Sequence, residues 1–323
     1  MSSFSVINPS KGTILREIKC DTQDTLQAKL ANAKAAQKVW ANTDWHERAQ
    51  VVERFKNLLI ARLDSLALTL TNETGKPLSQ ARGEVRATAP RIDYFLENYA
   101  AACAPRLAFQ EPQNGVVPGH HALEEWVTYE PLGTVANISA WNYPYFVGSN
   151  VFIPALLTGN AVLYKPSEHA ALTGLAIESL WAQAGLPSNL FTLVLGPGDV
   201  GQALLASNID GVFFTGSYGT GVRIASQVAD RLLPLQLELG GKDPAYVASD
   251  IDPKKAAEAL ADGAFYNNGQ SCCAVERIYV HTSVAYAFRA AFLAAVNSMR
   301  MGDPTEEDTY LGPVTRQAHL EHL

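Results

Sequence analysis

Cysteine, basic charge and long hydrophobic runs are all scarce in this chain. The four cysteines in 323 residues, Cys20, Cys103 and the adjacent Cys272 and Cys273, are too few for a disulfide framework and point to a reducing, cytoplasmic setting. Lys and Arg total 25 against 32 Asp and Glu, a formal charge of -7, and no basic block gathers them. A phosphate backbone would find little to grip, so a nucleic-acid partner is not expected. The longest mostly apolar stretch, 147–164, is interrupted by Ser149, Asn150, Pro154, Gly159 and Asn160. It reads as buried secondary structure around a turn, not as a membrane span. The opening Met-Ser-Ser-Phe-Ser lacks the basic segment and apolar core of a secretory signal. The seven histidines show no metal-ligand spacing, and the adjacent His120 and His121 would point to opposite faces of a strand, so no metal site is expected.

What is present is the composition of an ordinary globular protein, 47% hydrophobic and 18% charged. From 21 to about 107 the apolar spacing is helical. Thr22 or Asp24 can cap a helix running through Trp40, and 46–63 carries Val51, Phe55, Leu58, Leu59 and Leu63 on one face. Gly75 followed by Lys76 and Pro77 marks a helix stop and restart. Residues 114–134 read as two short extended arms forming a hairpin away from the main body. Five β-rich runs follow, at 134–139, 161–165, 191–195, 211–215 and 235–239, with helical stretches between them at 170–184, 200–206 and 218–228. Strands alternating with helices imply right-handed crossovers and a parallel sheet covered on both faces. Beyond 240, helices near 254–265 and 285–299 flank a strand at 276–281 and suggest a second α/β unit. The chain stops inside the helix-like run 315–323, which suggests a truncated or partial protein.

Ligands of such sheets sit beyond the carboxyl ends of the strands. Gly196-Pro-Gly-Asp-Val-Gly201 matches the dinucleotide fingerprint, but no acid lies between 211 and 229 for the ribose hydroxyls, so a tight turn is the better reading. Gly216 and Ser217, at the next strand end, can offer backbone N–H groups and a helix N-terminus to a pyrophosphate. Lys165 and Glu168 could hold a ribose, or could be a solvated surface pair. Glu238, flanked by leucines, should be poorly solvated with a raised pKa suited to a general base, or else be a buried structural acid. Cys272 and Cys273 follow the polar turn Asn-Asn-Gly-Gln-Ser. Spacing alone does not say which of the two faces a substrate.

Five runs together resemble the aldehyde dehydrogenase superfamily over essentially the whole chain. They are Pro131-Leu-Gly-Thr-Val with Trp141-Asn-Tyr-Pro144, Gly159-Asn-Ala-Val-Leu-Tyr-Lys-Pro-Ser-Glu168, Phe214-Thr-Gly-Ser217, Leu237-Glu-Leu-Gly-Gly-Lys242 and Gly269-Gln-Ser-Cys272. They occur in the family's order and with its separation of 34 residues between Glu238 and Cys272. The resemblance implies a Rossmann-like cofactor domain (1–113 and 135–238), an oligomerisation hairpin (114–134) and the first part of a catalytic α/β domain (239–323), in a homo-oligomer. It implies Cys272 as nucleophile, Glu238 as general base, and Asn142 as an oxyanion-hole donor together with the Cys272 N–H. Lys165 and Glu168 match the family's adenosine-ribose contacts and Gly216 and Ser217 its pyrophosphate loop, while Trp141, Ser167 and Gly240 complete the expected NAD (or NADP) contacts. A small aldehyde would be oxidised to the acid through a thiohemiacetal and a thioester. Release of the thioester to coenzyme A is the alternative chemistry, and Glu238, a base for hydrolysis, argues against it. Where many members carry a lysine nine residues after the asparagine, this chain has Val151. The family's Glu-x-Phe-Gly-Pro-Val segment, which holds the nicotinamide ribose, lies beyond residue 323, so a catalytically incomplete fragment is a further alternative.

Overall fold

The computed structural model describes residues 2–112 and 122–321. Strands β1 (Ser3–Ile7) and β2 (Ile14–Lys19) form an antiparallel hairpin that the sequence patterns did not single out. Four helices follow: α1 (Gln23–Ala41), α2 (Trp45–Ala61), α3 (Leu63–Thr74) and α4 (Leu78–Ala102). Thr22 caps α1 in a reciprocal bond with Thr25, and the Asp44 carboxylate accepts from the His46 N–H at the start of α2. Gly75 ends α3 at φ 78°, where a Cβ would meet Pro313 Cγ at 2.7 Å and Pro9 Cγ at 3.0 Å. Glycine alone satisfies both the left-handed backbone and that close approach.

Strands β3 (Arg106–Gln110) and β4 (Glu124–Val127) pair antiparallel with their side chains largely exposed. The first of them lies earlier than the extended run expected after 114. Its first part, 114–121, with His120 and His121, falls outside the described residues.

The central sheet comprises β5 (Thr134–Ser139), β6 (Ala161–Pro166), β7 (Phe191–Leu193), β8 (Gly211–Gly216) and β9 (Leu235–Leu239), with every neighbour parallel and the order β7-β6-β5-β8-β9. The connecting helices are α5 (Pro144–Leu157), α6 (Ala171–Gln183), α7 (Gly198–Ala206) and α8 (Tyr218–Val228). The chain starts at the centre, moves out through β6 to β7, then returns to the other side of β5. Right-handed crossovers therefore place α5 and α6 on one face and α7 and α8 on the other. The strand order reverses between β5 and β8, and a crevice opens at their carboxyl ends. The core under α5 and α6 is aromatic: Phe55 stacks on Trp181 at 3.9 Å, and Phe152 meets Tyr164, Trp181 and Phe191 edge-on.

The expected strands and crossover helices recur within a few residues of their sequence positions. The exception is α5, whose residues are apolar on every side and so show no amphipathic stripe. After β9 comes a second α/β unit: β10 (Asp243–Val247), α9 (Pro253–Phe265), β11 (Val275–Val280) and α10 (Ala285–Ser298), with β10 and β11 parallel. Its small core joins Val247, Ala257 and Phe288. The described residues of the run 315–323 contribute the single turn α11 (Gln317–Leu320).

Candidate active site

The crevice at the carboxyl edge of the sheet is a cavity of about 840 Å³, bounded opposite by the loop 268–272 of the second unit. Trp141 and Asn142 follow β5; Ser167 and Glu168 follow β6; Gly216 and Ser217 end β8; Glu238 and Gly240 end β9. These eight residues, with Lys165 on β6 and Cys272 on the facing loop, all lie in its wall. The fingerprint-like turn contributes as well: Gly198 and Gly201 open α7 onto the same space, and Gly196, at φ 150°, makes the tight turn before it.

Lys165 is not half of a solvated pair. It is 4% exposed. Its Nζ makes one long bond, 3.4 Å to the Pro166 carbonyl, and burial pushes its pKa down against the pull of Glu168 and Asp199. A buried ammonium with so weak an internal partner is suited to a ligand rich in oxygen acceptors. Ser217 caps α8, its Oγ accepting from the Thr220 N–H at 3.4 Å, so the positive end of the helix faces the cavity. A Cβ at Gly198 or Gly240 would find nothing within 4 Å, which leaves open space beside the backbone.

The loop carrying Cys272 turns through three successive left-handed residues, Asn267 (φ 56°), Asn268 (φ 59°) and Gly269 (φ 72°). Asparagine and glycine are the residues that enter this region most readily. Side chains then lock the turn. Asn267 Nδ2 donates to the carbonyls of Asn142 (3.1 Å) and Gln270 (3.2 Å), and Asn268 Nδ2 donates to those of Gly75 and Pro313. The Tyr143 hydroxyl and Ser271 Oγ lie 2.5 Å apart. Asn142 Nδ2 donates to the Gln270 carbonyl at 3.0 Å, and an amide nitrogen carries a second N–H besides. The Gly241 N–H donates to the Cys272 carbonyl at 3.1 Å, tying the end of β9 to the cysteine.

One open alternative narrows here and one expectation changes. Cys272 and Cys273 are both exposed, but only Cys272 lies in the cavity wall. Desolvation pushes the Cys272 thiol up, and the adjacent Cys273 raises it further. Glu238 is exposed, not buried between its leucines. Side chains alternate along a strand, so Leu235, Leu237 and Leu239 turn one way while Gln236 and Glu238 turn the other, where Gln236 Nε2 donates to Glu238 Oε1 at 3.2 Å. Leucine neighbours in sequence say nothing about burial on the opposite face.

Sequence patterns also passed over several wall and support residues. Arg316 and His319 line the cavity, with the His319 ring 5.7 Å from that of Trp141. Behind the Asn142 turn lies a buried ion pair between Lys76 and Glu84. Lys76 precedes α4 and Glu84 lies within it, so no helical periodicity linked the two.

The fold and the cavity define an α/β protein with a ligand crevice at a topological switch point and a cysteine opposite it. The family model for the aldehyde dehydrogenase family matches residues 1–323, and the chain belongs to that family. Betaine aldehyde dehydrogenase 2 of Rhizobium meliloti (strain 1021) is 36% identical over 321 residues, covering 98% of this chain and 64% of its own length. The chain thus spans less than two thirds of that relative. Among solved structures, 3,6-anhydro-L-galactose dehydrogenase in complex with NAP superposes with a TM-score of 0.92 at 32% identity, covering 99% of this chain and 66% of that one. PnpE in complex with nicotinamide adenine dinucleotide gives 0.92 at 30% identity, over 99% of this chain and 64% of its own.

Proposed function

We propose that this chain binds NAD in the crevice and oxidises a small aldehyde to the carboxylic acid, with Cys272 as nucleophile. The observation that carries the reading is the convergence of Cys272, Glu238 and Asn142 on the same cavity as Lys165, Ser167, Glu168, Gly216 and Ser217. The complexes of related proteins with NAP and with nicotinamide adenine dinucleotide support it. Lys165 and Glu168 would hold the adenosine ribose, and Gly216, Ser217 and the N-terminus of α8 the pyrophosphate. Trp141 and Gly240 would complete the wall. The cofactor, once bound, supplies the hydride acceptor.

The Cys272 thiolate adds to the aldehyde carbon. The second N–H of Asn142 and the Cys272 N–H face the alkoxide that forms, an arrangement worth about 3–4 kcal/mol in other enzymes. Loss of hydride from that carbon leaves a thioester on Cys272. Glu238, exposed in the cavity wall, takes a proton from the water that releases the acid. In this reading residues 1–113 and 135–238 serve the cofactor, 239–323 carry the nucleophile, and the 114–134 arm serves assembly. A carboxylate at 168 disfavours a 2′-phosphate, so NAD is preferred over NADP.

NADH formation from a panel of aldehydes, on this chain and on Cys272→Ala, tests the reading. Turnover that Cys272→Ala abolishes is the expected result. Turnover that survives the substitution removes Cys272 as nucleophile, and equal efficiency with NADP removes the role given to Glu168.

A further inference from the structure

Three buried polar residues, Lys76, Gln80 and Glu84, stand four apart on and just before α4, at 1%, 5% and 4% exposure. None of them lines the cavity. Each instead bonds the backbone of a segment that does. Lys76 Nζ donates to the Asn142 carbonyl at 2.7 Å and sits 3.8 Å over the Tyr143 ring. Its ion-pair partner Glu84 turns its other oxygen to the first amides of α5, accepting from Tyr145 N–H at 2.9 Å and Phe146 N–H at 3.4 Å. Gln80 Oε1 accepts from the Asn267 N–H at 2.8 Å, and Gln80 Nε2 donates to the Tyr310 carbonyl at 2.9 Å. The start of α4 and the residue just before it therefore grip the turn that presents Asn142 and the left-handed turn that presents Cys272.

Fold stability does not account for the stripe. A buried ion pair is a poor stabiliser, because desolvation offsets its attraction and an apolar pair of similar volume often does as well. What an apolar pair cannot do is hold a backbone carbonyl and two backbone amides at fixed points. We propose that Lys76, Gln80 and Glu84 are positioning residues that hold the Asn142 turn and the 267–272 loop in mutual register across the cavity. The proposal rests on the aldehyde-oxidising reading for its catalytic consequence, though not for its geometry.

The test compares the unsubstituted chain with the double variant Lys76→Met/Glu84→Gln, which removes both charges at similar volume, and with Gln80→Leu, which breaks no ion pair. Backbone amide exchange read by mass spectrometry should quicken about tenfold or more in peptides spanning 142–147 and 267–274, with the β5, β6 and β8 peptides unchanged. Where aldehyde turnover is measured, kcat should fall roughly tenfold to a hundredfold while KM for NAD changes much less, since Lys165, Glu168, Gly216 and Ser217 lie on other elements. Unchanged exchange in those two segments, or a uniform rise through the whole chain, overturns the proposal. If the double variant does not fold, Gln80→Leu decides by quickened exchange in 267–274, the segment that its own bond reaches. If the unsubstituted chain oxidises no aldehyde, the functional reading fails while the exchange pattern still decides for or against the stripe.

Discussion

A nucleophilic cysteine must reach its thiolate form, and the surroundings of Cys272 work against it. Cleft desolvation first, and Cys273 second, push its pKa above the ordinary 9.0. At neutral pH the thiolate is therefore scarcer than in a free cysteine. Alkylation of Cys272 by iodoacetamide, followed by peptide mass spectrometry, should quicken about tenfold per pH unit through neutrality and level off only in alkaline solution. Cys273→Ala removes the second cause and should move the midpoint down. A plateau reached near neutral pH, in either protein, would show that a nearby positive group outweighs desolvation. At this scale the sequence was a good guide to identity and a poor one to environment. The strand ends and the Gly-Gln-Ser-Cys turn named the wall residues, because glycine, asparagine and cysteine are chemically particular. The exposure of Glu238 and the burial of Lys165 were not legible, because each depends on which face of a strand meets another element.

Element by element, what the sequence revealed followed periodicity. The sheet strands stand out as short β-rich runs and α8 as a stripe, while α5, apolar all round, was legible only as buried structure and β3, exposed along its length, left no pattern to read. Helix α6 adds a second case of chemistry hidden by distance. Its first turn has no side-chain cap of its own. Glu73, near the end of α3, supplies one from 100 residues away, accepting from the N–H groups of Leu172 at 2.8 Å and Thr173 at 2.7 Å and from the Thr173 hydroxyl. Burial outweighs those bonds and pushes the Glu73 carboxyl up from 4.5 to about 7. Between these two values the folded state holds a proton that the unfolded chain has already released, so stability falls as pH rises through the interval. The loss amounts to about 3 kcal/mol by pH 8, since each pH unit between the two values contributes about 1.4 kcal/mol. Urea unfolding of the unsubstituted protein and of Glu73→Gln, at pH 3.5 and pH 8, checks this, each condition lying about one pH unit outside the interval. The difference between the two proteins should change by that amount, in favour of the glutamine variant at the higher pH. An equal difference at both pH values would mean that Glu73 ionises alike in the folded and unfolded chain.

At the scale of the whole molecule, the paired strands β3 and β4 stand out as exposed along most of their length. Leu107, Phe109 and Trp126 are 39%, 46% and 53% exposed on it, and Leu123 just before β4 is 55% exposed. A two-stranded ribbon with bare edges and exposed apolar side chains is marginal alone and offers backbone groups to another strand. A second copy of the chain would satisfy both needs, in keeping with the assembly role proposed for the 114–134 arm. Sedimentation velocity over a range of concentrations should accordingly show self-association. Phe109→Lys with Trp126→Lys should shift the distribution towards the monomer while leaving the unfolding midpoint within a few degrees, since neither side chain contributes to the core. Both substitutions also place cations on exposed strands, the device by which natural sheet edges avoid pairing. A mass distribution identical in the two proteins would remove the hairpin from the interface, and a monomer at every concentration would remove the interface from this stretch of chain. Association that persists in the double variant but is lost when Gln236, in the edge strand β9, is replaced by proline would move the contact to the open edge of the central sheet.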